Sequence, residues 1–243
     1  AQTATRTRKK PTRTAVTAVR FSILNHFSPS LTDAVTLTDR LRKAAIQKLD
    51  GHPLCAYFSG KTPDSDRLVG HRHPHYFAIP GDNNRVQELA IWIPKEQTEE
   101  FLPELSRIDR LYGAPNERPG PVAIRMSGYG PATDILPEYC GTHPTWISAT
   151  PFAPTGYQKK NHTWQRYVQD RVNKELTYRG MPTARIDFPD KHPQIRIAAH
   201  RPFQPGLHHP TPVWLKLTFN QPVPGPLALG RLAHFGLGLF RWT

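Results

Sequence analysis

The segment "GHRHPHYF" carries His71, His73 and His75 at alternate positions. In an extended chain, side chains two residues apart face the same way, so the three imidazoles line one face. Imidazole takes up and gives back a proton near neutral pH, which suits acid-base work on a phosphodiester. Two other readings share that spacing: transition-metal binding, and histidines that only hydrogen-bond in a polar groove. No carboxylate or cysteine lies close enough in sequence to complete an obvious zinc set. A second segment, "APTGYQKKNHTWQRY", sets Lys159, Lys160, His162 and Arg166 among Tyr157, Trp164 and Tyr167. Such cations hold phosphates while the aromatics stack on unpaired bases. A solvated loop leading into a helix has the same composition. The third segment, "GPLALGRLAHFGLGLF", holds Gly225, Gly230, Gly236 and Gly238 around Arg231 and His234. Glycines here either let phosphates approach backbone amides or mark a bulge or tight corner. The segment fits neither the P-loop nor the dinucleotide-binding pattern.

The elements that must position these residues follow from patterning. "AVTAVRFSIL" reads as a strand with Val16, Ala18, Arg20, Ser22 and Leu24 on one face. A helix follows, capped by Asp33 or Thr36, with Leu37, Leu41, Ala44, Ala45 and Leu49 at helical spacing and Gly51 as its stop. "HPHYFAIP" and "RVQELAIWIP" form a hairpin around "GDNN". "EQTEEFLPELSRIDRLYG" reads as a second amphipathic helix and "PVAIRMSGYG" as a strand. The order β-α-β-β-α-β is ferredoxin-like. Beyond it, "PTWISATPFAP", "TARIDFP", "IRIAAH" and "PVWLKLTFNQPV" read as strands, and "TWQRYVQDRVNKELTYRG" as a helix ended by Gly180. Glycine, proline and threonine gather near residues 130–142. This places a basic arm at 1–15, one domain at 16–135 and a second at 136–243.

The whole chain is 243 residues with 32 Lys+Arg against 19 Asp+Glu, a net charge of +13. That excess favours a polyanionic partner through phosphate neutralisation and counterion release. No apolar run approaches the ~18 residues of a membrane span. Cys55 and Cys140 stand far apart, outside any metal or disulfide pattern, which fits a reducing cytoplasm. Arg42, Lys43 and Lys48 on the first helix either extend a basic surface or are simply solvated.

Taken together, "LVGHRHPHYFAIPGD", "LAIWIP", "WISATPFAPT", "LTYRGMP" and "GPLALGRLAHFGLGLF" resemble the repeat-RNA endoribonuclease part of the type I-G (I-U) fused Cas-five/Cas-six proteins of the RAMP superfamily. The resemblance runs in order over roughly residues 16 to 240, and the Cas-five half has no counterpart here. It implies an α+β fold of tandem ferredoxin-like (RRM-like) domains, antiparallel sheets with helices on one face, and a glycine-rich loop near RNA. It further implies metal-independent cleavage of a CRISPR repeat hairpin by 2′-hydroxyl attack, leaving a 2′,3′-cyclic phosphate. The protein is then expected to stay on the 3′ hairpin of the crRNA, beside a Cas-five-like subunit of a type I surveillance complex. Its alternative is a hairpin-binding subunit that does not cut. For the chemistry, the resemblance leaves His73 and His75 as the pair nearest the scissile phosphate, His71 as an alternate and His26 as a rival that Lys43 could assist. Lys159, Lys160, Arg166, Arg231, His234 and the four glycines are the expected RNA contacts.

Overall fold

Strand-forming segments of this chain sort into two antiparallel sheets, one from each half. The computed structural model describes residues 15–62, 64, 66, 73–189 and 211–243. His71, the "IRIAAH" segment and residues 1–14 of the basic arm lie outside the described residues.

The first half contains β1 (Val16–Ile23), α1 (Ala34–Lys48), α2 (Cys55–Ser59), β2 (His75–Pro80), β3 (Val86–Gln97), α3 (Leu102–Ser106), β4 (Arg110–Leu111) and β5 (Val122–Gly130). Its sheet runs β2-β3-β1-β5-β4. α4 (Ala132–Ile135) follows against that sheet, and the second half contains β6 (Thr142–Ser148), α5 (Trp164–Tyr178), β7 (Ala184–Asp187), β8 (Lys216–Pro224), β9 (Leu227–Ala228) and β10 (Leu239–Trp242). Its sheet runs β7-β8-β6-β10-β9. Each sheet is a four-strand ferredoxin-like order with a two-residue strand added at one edge. In the second half, the segment joining β8 to β10 carries the glycine-rich run and a short 3-10 turn, Ala233–Phe235, where the first half has α3.

Three differences from the sequence reading have local causes. The alternation expected along β1 breaks at two register shifts, between Val16 and Ala18 and between Arg20 and Phe21. Val16, Val19 and Phe21 therefore join the core under α1, while Ala18 belongs to a separate cluster on the other side. The helix expected over "EQTEEFLPELSRIDRLYG" contracts to a 3-10 turn and the five residues of α3. Ile108 and Leu111 have helical spacing, yet the chain is extended there so that Arg110 and Leu111 pair with Ala123 and Val122. The cap of α1 also moves. Ser30 accepts from the Thr32 amide at the preceding 3-10 turn, and neither Asp33 nor Thr36 is the capping side chain.

β2 is buried along almost its whole length. Tyr76 and Ala78 pack with α1, whereas Phe77 and Ile79 turn to the opposite face. There they meet Leu136, Tyr139 and Cys140 of the connecting turn and Ala149, Ala228, Ala233 and Leu239 of the second half. Ala18 and Ala90 keep this seam thin, since small side chains let the layers come close. The odd-numbered residues of β2, including His75, therefore face the seam.

Candidate active site at the seam

The row of histidines runs inward from a half-buried His73 to a fully buried His75. His234, supplied by the glycine-rich run, inserts between His73 and His75. Its ring centroid lies 3.5 Å from that of His73 and 3.8 Å from that of His75, whose mutual distance is 6.3 Å. The 3-10 turn Ala233–Phe235 carries it there, flanked by Leu232 at φ 62° and Gly236 at φ 81°. On the far side, Gly60 ends α2 with a left-handed φ of 80°, and a Cβ added there would touch the His73 ring at 3.5 Å. Trp92 of β3 lies against His75, centroids 4.8 Å apart.

Hydrogen bonds set the tautomers. His75 Nδ1 lies 3.3 Å from Ala233 O, and His73 and His234 place their Nδ1 atoms 3.3 and 3.4 Å from a single acceptor, Pro74 O. A carbonyl oxygen only accepts, so each Nδ1 carries the hydrogen and donates it. His75 is completely buried, and burial, reinforced by His234 and by the Arg179 guanidinium, holds it well below the usual histidine range. Arg179, just past the end of α5, donates to Ala228 O and pairs with Glu175 at 3.9 Å. Its burial lowers its own pKa while the Glu175 carboxylate opposes that. From α1, Arg42 donates to Ser59 O at 2.9 Å and lies 5.7 Å over the Phe235 ring.

Two buried threonines hold the loop that delivers His234. Thr38 Oγ1 of α1 lies 2.7 Å from Phe235 O, and Thr150 Oγ1 donates to Gly236 O at 2.7 Å while accepting from Leu239 N. The glycines of this run are closely approached, by this chain's own backbone and rings. A Cβ at Gly238 would lie 1.9 Å from Leu229 O, and one at Gly236 3.0 Å from Tyr76 O. Gly225 sits likewise against Tyr139 O and Trp146, and Gly230 against Ala153 O and Phe152. Protein packing alone accounts for glycine at these four positions.

The remaining expected residues lie apart. His75 is level with Trp92, which stands beside Ala18 near the start of β1, while His26 follows the other end of that strand. His26 is exposed and edge-on to Phe27, with 4.5 Å between centroids. Lys159, Lys160 and Arg166 are exposed around the start of α5, where Thr163 caps the helix by accepting from Arg166 N. The 15 residues of α5 separate them from Arg179 by roughly 22 Å. Arg231 is half-buried, its amide donating to Ala153 O at 2.8 Å. Sequence reasoning missed Arg179, Thr38 and Thr150, because nothing local marks them: their partners are 49, 197 and 86 residues away.

Face-to-face stacking does not converge three ring nitrogens on one point. Among the described residues no group of three or more His, Cys, Asp or Glu is arranged to hold a metal ion. What the arrangement offers is imidazoles near the Arg179 guanidinium, a setting suited to proton transfer at an anion.

Two ferredoxin-like sheets packed through such a seam make a tandem ferredoxin-like architecture. No family model matches the sequence, and no curated protein matches it. Among solved structures, that of Cas6b is similar over 93% of this chain and 99% of its own, with a TM-score of 0.50 and 9% identity. A RAMP protein described as binding different RNA substrates aligns over 95% of this chain and 99% of its own, with a TM-score of 0.46 and 9% identity. The chain thus has a Cas6/RAMP-type fold.

Proposed function

We propose that this protein is an endoribonuclease that binds and cuts a CRISPR repeat hairpin, with imidazoles rather than a metal ion moving the protons. The observation that carries this reading is the histidine stack at the seam, with Arg179 near its buried ring, within a fold like that of Cas6b. The net charge of +13 supports a polyanionic substrate. In the reaction, a base removes the 2′-hydroxyl proton, the 2′-oxygen attacks the adjacent phosphorus, and the bond to the 5′-oxygen breaks as an acid protonates it. The products are a 2′,3′-cyclic phosphate and a 5′-hydroxyl.

His73, half-buried at the rim, is the member of the expected pair placed to meet RNA. His75, fully buried, positions the ring in front of it. Lys159, Lys160, Arg166 and Arg231 hold the hairpin, in keeping with the exposed basic loop before α5. The two units divide near residues 135 and 136. By its resemblance to the type I-G fusion, the protein stays on the 3′ hairpin in a cytoplasmic type I complex and docks a Cas-five-like subunit.

Cleavage of stem-loop repeat RNA in excess EDTA tests the reading. Wild-type protein is expected to cut once and leave a cyclic phosphate, and RNA with a 2′-deoxy residue at the cut site is expected to resist. His73→Ala should lower the rate by ~10²–10⁴-fold with binding retained, and His26→Ala should cut normally. Activity that EDTA abolishes, or that survives in His73→Ala, sinks it. Tight binding of uncut RNA by the wild type establishes instead the second reading, a non-cutting hairpin holder, which the burial of His75 favours.

A further inference from the structure

The geometry points to His234 as the second proton-transfer residue: His73 and His234, one from each half of the chain, form a single acid-base couple whose tautomers are set by the Pro74 carbonyl. The inference rests on the endoribonuclease reading above for its substrate, but its physical content does not.

Both rings direct Nδ1 to the same oxygen, at 3.3 and 3.4 Å, and they stack at 3.5 Å with an interplanar angle of 23°. In both rings Nε2 lies across the ring from Nδ1, so both Nε2 atoms are on the side away from the Pro74 oxygen. The Nδ1–H donation to a carbonyl makes each Nε2 the nitrogen that gains and loses the proton. Stacked this closely, the two rings repel when both are charged, so a state with one charged and one neutral ring is favoured. One Nε2 is then an acceptor while its neighbour is a donor. The 2′-hydroxyl attack needs that pair: the neutral ring takes the 2′-OH proton and the charged ring gives its proton to the departing 5′-oxygen. Afterwards the proton has passed from one ring to the other, and the total held is unchanged.

The surroundings suit this division. His75 of β2 lies behind His234, buried and kept neutral, so it leaves the single proton to the outer rings. Among the described residues, Arg179, just past α5 and paired with Glu175, is a charged group near His75, and Trp92 of β3 lies against the same ring. Gly60 of α2 backs the His73 ring.

Carbon-detected NMR titration of the full chain without RNA reads the couple directly. His73 and His234 are expected to titrate together in two steps, separated by more than one pH unit. In His234→Phe, which keeps a stacked ring, His73 should titrate in one step nearer the ordinary histidine value. On stem-loop RNA, His234→Phe should cut ~100-fold or more slowly. It should lose the acid or base limb of the pH–rate profile and bind within threefold of wild type. His234→Gln, smaller and polar, should behave likewise, and serves if His234→Phe melts early. Independent single-step titration of both rings in the wild type overturns the inference, as does an unchanged pH–rate profile in a folded His234 variant. A wild type that cuts no stem-loop RNA while showing coupled titration refutes the endoribonuclease reading and leaves the couple standing.

Discussion

His75 has no exposed surface and donates to a carbonyl, so its proton affinity works against acid conditions. Its folded pKa is depressed below the unfolded value of about 6.5. Between that value and the lower folded one, the unfolded chain binds more protons. Stability is therefore complete above about pH 6.5 and falls as pH drops, by at most about 1.4 kcal/mol per pH unit from this group. Urea denaturation at pH 7.5 and pH 5.5 should show a larger loss for wild type than for His75→Leu, which has nothing to protonate. A second residue makes a plainer case. Burial, with Glu138 nearby, pushes the Cys140 thiol up to about 11, so it should resist alkylation until the chain unfolds. At this scale the sequence was informative but incomplete. The alternation of His73 and His75 was visible because it is local. The ring that completes the stack comes from 159 residues beyond His75, a distance over which periodicity carries no information.

Among the elements, the glycine-rich run between β8 and β10 is the most constrained. Gly238, at φ 62° with a backbone oxygen 1.9 Å from where its Cβ would be, cannot take a side chain unless the chain moves. Gly238→Ala is expected to cost more than about 2 kcal/mol, and Gly236→Ala less, because its nearest atoms are at 3.0 Å or beyond. The midpoints of chemical denaturation rank them. Elements with a strong local signature were legible: α5 begins where Thr163 caps it, and Leu215, Leu217 and Phe219 of the β8 region are buried as their alternation predicts. The stretch around α3 was not, since Ile108 and Leu111 serve a strand edge with a spacing that also fits a helix. Thr38 of α1 was illegible for another reason. A helix packed on two sides has a second inner face, and here Thr38 lies on it with Val35, while Leu37, Leu41 and Ala45 fill the first.

Across the whole molecule, polar ties besides those of the imidazoles join the layers. Arg20 of β1 donates to Ile135 O at 2.9 Å and pairs with Glu138 at 3.2 Å, binding the connecting turn to the first sheet. Thr38 reaches Phe235 O in the second half. Replacing it by valine, nearly the same in shape, leaves that carbonyl without its hydroxyl donor. Thr38→Val should therefore cost about 1–3 kcal/mol. In addition, it should release His234, so the outer rings should lose their mutual titration before the fold is lost. Two α+β units were legible as a pattern of elements. The seam between them was not, because the alanines that make it thin look like ordinary strand and loop residues.

If the outer two rings, which belong to opposite halves of one chain, act as the proposed couple, neither half is chemically complete alone. Severed in the turn near Pro137, the protein would yield two pieces, each with half of the proton-handling pair. If they refold and find each other in a test tube, activity should return with the product of their concentrations at dilute levels. An enzyme whose chemistry sat within one sheet would show no such dependence.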